Sequence, residues 1–186
     1  MLTVDNWDDL WNQSRVYAED EFGSTQSMRA RRGQRNPARI KHQTATGKMG
    51  EFMSQAFLKG LGYDCSDPDC EIYSGKGKSW ASDLFVGEHK VAVKTQDASS
   101  ASRFGSSWIF QKGGHGYGHT DPVINGGKSY AVFVTLNLVK KCASVKGPYH
   151  MSDLRPHFRD PKLASLRFSK AALYWDDIKE IPTVQI

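Results

Sequence analysis

Apolar residues recur at helical spacing near the start of the 186-residue chain, at Trp7, Leu10, Trp11 and Val16, and predict a helix over 5–21. A clearer stripe follows: Met49, Phe52, Met53, Ala56 and Phe57 fall at i, i+3, i+4, i+7 and i+8. It predicts a second helix from about Thr44–Thr46 to Gly60, with Gly62 as its stop. Between the two helices Gly33 and Pro37 break the pattern. The period then shortens to two. Strands are predicted over 70–74, 82–86, 90–96 and 129–138, the last rich enough in β-branched and aromatic residues for a central strand. Residues 97–128 read as a long polar loop, with HGYGH in its middle. Beyond 139 the pattern gives a helix near 161–167, a short strand at AALYW and a helical turn at DDIKEI. This order predicts an α/β fold, a mixed central sheet flanked by helices.

The stretch SDLFVGEHKVAVKTQD, residues 82–97, has the grammar of a hairpin. Gly87 can take the positive φ of a two-residue turn, which sets Val86 opposite His89 and Leu84 opposite Val91. Alternation then puts Leu84, Val86, Val91 and Val93 on one face and Asp83, Phe85, Lys90, Ala92, Lys94 and Gln96 on the other. Asp83 opposes Ala92, and Lys94 is its diagonal neighbour. Geometry alone allows a plain cross-strand ion pair, or a carboxylate beside a working lysine.

The length fits one domain with a proper core. Its parts are an N-terminal helix and basic arm (1–43), a core (44–138) and C-terminal elements (139–186). No run approaches the ~18 apolar residues of a membrane helix. The acidic, Trp-containing start does not resemble a signal peptide, so a cytoplasmic protein is expected. Three cysteines do not make a disulfide framework.

The net charge of +5 is unevenly spread. Residues 1–28 hold six acids and one base, whereas 29–48 hold seven Lys/Arg and no acid. Arg29, Arg31, Arg32, Arg35, Arg39 and Lys41 are therefore candidates for gripping phosphates, which would release counterions. A solvated basic loop is the plainer alternative. His115 and His119 on the glycine-rich loop are candidate nucleic-acid contacts, against a merely exposed loop. Paired with Cys65 and Cys70 they also have the composition of a zinc site, but the hairpin separates the pairs. Trp108, Phe110 and Phe133 read as core. No phosphate-cradling GxxxxGK[ST] is present.

Three motifs in order, GKMGEFMSQAFLKGLGY, SDLFV and VAVKTQ, resemble the PD-(D/E)XK, or restriction-endonuclease-like, nucleases. The resemblance spans about residues 44–138. It implies a restriction-endonuclease-like core, a Mg-dependent DNA endonuclease (Mn as substitute) and hydrolysis of phosphodiester bonds. Carried over, it implies catalytic positions at Glu51, Asp83, Ala92, Lys94 and Gln96, and metal-holding positions at Asp83, Glu51 and Val93. DNA is the implied partner, and a homodimer would supply the two active sites that duplex cleavage needs. One departure matters. The second carboxylate belongs at position 92, which is Ala92. Glu51 could replace it, or Glu71 or Asp97 could reach in; otherwise the domain only binds, or the alanine is a deliberate inactivating substitution. Glu51 lies nearly opposite the apolar stripe, on a Gly–Ser face suited to a nucleic-acid backbone or to solvent. A non-catalytic nucleic-acid-binding module and an RNA-processing nuclease are the rival functions.

Overall fold

The computed structural model describes residues 1–31 (side chains through Thr25), 35–73, 83–112 and 129–186. Two long helices, α1 (Trp7–Arg31) and α2 (Pro37–Gly60), pack side by side. Both exceed the sequence expectation. The apolar stripe of α1 fades after Glu21, but the polar turn beyond it stays helical, with Ser24 and Thr25 hydroxyls each donating to the Glu21 carbonyl at 2.9 Å. Helix α2 starts at Pro37, seven residues before Thr44. Pro37 opens the helix instead of breaking it, and the Asn36 side chain accepts the Arg39 N–H at 3.0 Å as an N-cap. The predicted basic arm is thus largely the corner between two helices.

Strands β1 (Leu84–Val86), β2 (His89–Asp97), β4 (Ser129–Asn137) and β5 (Cys142–His150) form a mixed sheet in that order. Strand β2 is antiparallel to β1 and parallel to β4, and β4 is antiparallel to β5. Between β2 and β4 lie α3 (Ala98–Phe104) and β3 (Ser107–Gln111), where a polar loop was expected. Strand β3 pairs with β6 (Lys170–Tyr174) as a second, two-stranded sheet. Two short helices, α4 (Met151–Leu154) and α5 (Trp175–Ile178), and single turns at 155–157 and 164–166 complete the chain. The turn at 164–166 is all that forms of the helix expected over 161–167. Residues 70–73, expected as strand, have no regular structure, whereas β5 was not foreseen.

Two cores meet at the main sheet. Beneath α2, Met49, Phe52 and Met53 pack with Leu84, Val91, Val93, Val132 and Val134. On the other face Ala92, Trp108, Phe110, Phe133, Tyr149 and Leu173 form an aromatic layer, with Trp108 and Phe133 stacked at 4.4 Å. Helix and sheet approach closely where Gly50 crosses β2: a Cβ there would sit 1.8 Å from Thr95 Oγ1. Both edges of the main sheet are covered. Ser66 donates its N–H to the Phe85 carbonyl at 2.8 Å beside β1, and Leu2 exchanges backbone hydrogen bonds with Ala143 beside β5. Among the described residues, no helix is long and apolar enough to cross a membrane.

Candidate active site

The hairpin forms in the expected register, Leu84 against Val91 and Val86 against His89, with Gly87 at φ +55° in the turn. Continuing it sets Asp83 opposite Ala92, one step past the last paired residue of β1. There the Asp83 side chain replaces the ladder: its Oδ2 accepts the Val93 N–H at 2.7 Å. The N–H and C=O of one strand residue leave the chain on the same side. The Val93 carbonyl therefore points toward the Asp83 side of β2, while the Val93 side chain is buried in the α2 core. A carboxylate and a carbonyl, both hard oxygen donors, thus share one side of β2.

The opposite face of β2 divides by residue. Ala92 is only 5 % exposed and belongs to the aromatic layer, so a larger side chain there would enter a packed core. Lys94 leaves that layer with its Nζ 5.1 Å from the Phe110 ring centroid and lines a cavity of about 380 Å³. Gln96 ties β2 to the lead-in of β3: its Nε2 donates to the Gly105 carbonyl at 3.1 Å and its Oε1 accepts the Ser107 N–H at 3.0 Å.

Glu51 has a partner that the sequence reading missed. Lys48, one turn earlier on α2, is 5 % exposed, and its Nζ donates to Glu51 Oε2 and to the Asp69 carbonyl, both at 2.5 Å. The same ammonium lies 4.4 Å from the Tyr17 ring centroid on α1. Burial, then the charges of Glu21, Glu51, Asp69 and Cys70, push the Tyr17 hydroxyl well above its usual range. The expectation that this helix face meets a nucleic-acid backbone or solvent is therefore corrected. Gly50 abuts Thr95, Ser54 is fully buried, and Glu51 is 16 % exposed beneath α1. Only the i, i+3 spacing of Lys48 and Glu51 could have signalled the pair.

The other proposed carboxylates are occupied elsewhere. Asp97 caps α3, accepting Ser99 Oγ at 2.5 Å, Ser100 N–H at 2.8 Å and Ser100 Oγ at 2.9 Å. Burial raises its pKa, but these hydrogen bonds outweigh burial and the net shift is downward. Glu71 is exposed beside Tyr73. Among the described residues no group of three or more His, Cys, Asp or Glu side chains could hold a metal. Magnesium does not need one, since it keeps several waters and takes one or two protein carboxylates. Asp83 with the Val93 carbonyl fits such a site, whereas Glu51 would have to exchange Lys48 for the ion.

The basic candidates scatter. Arg29 and Arg31 lie in the last turns of α1, and Arg35 and Arg39 are exposed around the start of α2. Lys41 pairs with Glu19 and sits 5.2 Å from the Phe22 ring centroid. Arg32, His115 and His119 lie outside the described residues. The cavity beside Lys94 had no counterpart in the sequence reading, because four separate segments close it: α2, the end of β2 with α3, β3, and residues 161–166 with Tyr174. No protein-family model, curated protein or solved structure matches this chain.

Proposed function

We propose that the protein is a magnesium-dependent DNA endonuclease built on a restriction-endonuclease-like core. The observation that carries this reading is the turn of β2 about Asp83: its carboxylate and the Val93 carbonyl share one side, and Lys94 is the next residue. Bound there, magnesium would polarise a phosphoryl oxygen and make its water more acidic. Asp83 would fix the ion's place, and its hydrogen bond to Val93 holds the carboxylate in one orientation. Lys94 supplies a positive charge against the extra negative charge of the transition state, in a partly buried setting where that charge is less screened than in water. Gln96 acts at a distance by holding the start of β3, and with it Phe110, against β2. Arg35 and Arg39, exposed at the helical corner, supply sequence-independent attraction to the DNA backbone.

Burial of Ala92 favours a second reading, a nucleic-acid-binding module on the same fold, since the position that should hold a second carboxylate is filled by core. Calorimetry with Mg²⁺ and with Mn²⁺ separates the two. The enzyme reading predicts heat of binding for the wild type that Asp83→Ala abolishes. Identical, flat titrations for both proteins leave the binding module.

A further inference from the structure

The cavity beside Lys94 is two-sided. One wall is apolar and aromatic, from Phe104, Trp108, Leu163, Leu166 and Tyr174. The other is polar, with Gln43 and Thr46 from α2 and Lys94 and Thr95 from β2. Thr95 Oγ1 is buried without a hydrogen-bond partner among the described residues. Two ammonium groups reach the space. Lys94 enters over Phe110, and Lys162 enters from the far side, its Nζ 3.2 Å from the Phe104 carbonyl and 5.0 Å from the Tyr174 ring centroid. The carboxylate in the lining, Asp97, is turned to its own helix by three hydrogen bonds. Arg39 is exposed on the stripe of α2 (39, 42, 43, 46) whose later members line the cavity.

A pocket of about 380 Å³ lies within the range of small-ligand sites. Its excess of positive charge selects an anion, and its aromatic wall opposite hydrogen-bonding groups selects a flat ring with polar edges. We propose that this cavity binds a nucleoside monophosphate unit, its phosphate toward Lys94 and Lys162 and its base against the Phe104–Tyr174 wall. The unit is either a free mononucleotide or one unstacked nucleotide of a strand. In the second case the proposal rests on the nucleic-acid reading above and adds to it a pocket for one displaced base.

The test is calorimetry on the full chain in EDTA, so that metal-dependent cleavage plays no part. The titrants are deoxyadenosine monophosphate, ribose 5-phosphate, inorganic phosphate and a short single-stranded oligonucleotide. The mononucleotide or the oligonucleotide should bind more tightly than ribose 5-phosphate. Lys162→Ala, at an exposed position, should weaken that binding about tenfold, the scale of one charge-assisted contact. Leu166→Trp, which fills the cavity, should remove it, and Asp83→Asn should leave it unchanged. Binding of the mononucleotide identifies the free ligand; binding of the oligonucleotide alone identifies a strand unit. Ribose 5-phosphate binding as tightly as the nucleotide, nucleotide binding indifferent to both cavity variants, or no binding of either nucleotide form overturns the proposal. An inactive nuclease that still shows the Lys162-sensitive nucleotide heat would sink the nuclease reading and leave this one standing.

Discussion

Lys48 and Lys94 are both lysines inside the fold, and they are held in opposite ways. Lys48 is enclosed by a carboxylate, a backbone carbonyl and an aromatic face, at 2.5, 2.5 and 4.4 Å. Lys94 leans on the Phe110 face and opens into a cavity. The first arrangement completes a buried charge and holds α1, α2 and the segment at Asp69 together. The second presents a charge to whatever enters. A lysine near a motif carboxylate is thus no guide to function until its surroundings are known: the helical glutamate of the motif has the structural lysine beside it.

That contrast can be broken from its structural side first. Lys48→Met should cost about 3 kcal/mol or more in urea unfolding, because it leaves Glu51 half-enclosed without its counter-charge. Adding Glu51→Gln should recover much of the loss. Lys94→Ala, losing one cation–π contact, should cost at most about 1 kcal/mol. Equal losses for the two lysines would erase the distinction.

Gly50 sharpens the same comparison, since it sets α2 against the strand that carries Lys94. Gly50→Ala places a methyl on the stiff, β-branched Thr95, and should destabilise the protein by about 1–3 kcal/mol through overpacking. Gly50→Ala with Thr95→Ser should be milder, and unfolding midpoints of the two proteins check it.

The smallest effect lies at the end of β2. Asp97→Ala removes the cap of α3 and should cost about 1 kcal/mol near neutral pH. The folded pKa of Asp97 is depressed, so its contribution is present above the unfolded carboxylate range and is lost as pH falls through the folded value. Stability curves of wild type and variant should therefore converge in acid. A gap that stays constant down to the acid limit would mean that the carboxylate charge plays no part in the cap.

Much of this frame was legible in the sequence, and the failures have physical causes. The hairpin register followed from Gly87 and the alternation around it, and the Met49–Phe57 stripe located the core face of α2. Strand β5 was missed because Gly147-Pro148 interrupts CASVKGPYH; Gly147, at φ +122°, lies where a Cβ would meet the Ala131 carbonyl at 2.8 Å. The strand expected at 70–74 failed for want of a sheet edge, since residues 65–66 already cover β1. Of the candidate site, local pairing predicted the placing of Asp83 opposite Ala92. Burial of Ala92, the Lys48–Glu51 pair and the Lys94 cavity depend on elements far apart in the chain, beyond the reach of any local pattern.

The central claim is that Asp83 and Lys94 serve phosphodiester hydrolysis, and conversion of supercoiled DNA over a Mg²⁺ titration tests it most directly. Wild type should nick or linearise the DNA increasingly with Mg²⁺. Asp83→Asn and Lys94→Ala should each lose conversion by about a hundredfold or more, the scale of removing one charge-stabilising group, while both stay folded and keep binding DNA. Conversion by Lys94→Ala equal to wild type, or none by wild type at any Mg²⁺ or Mn²⁺ concentration, would contradict the account.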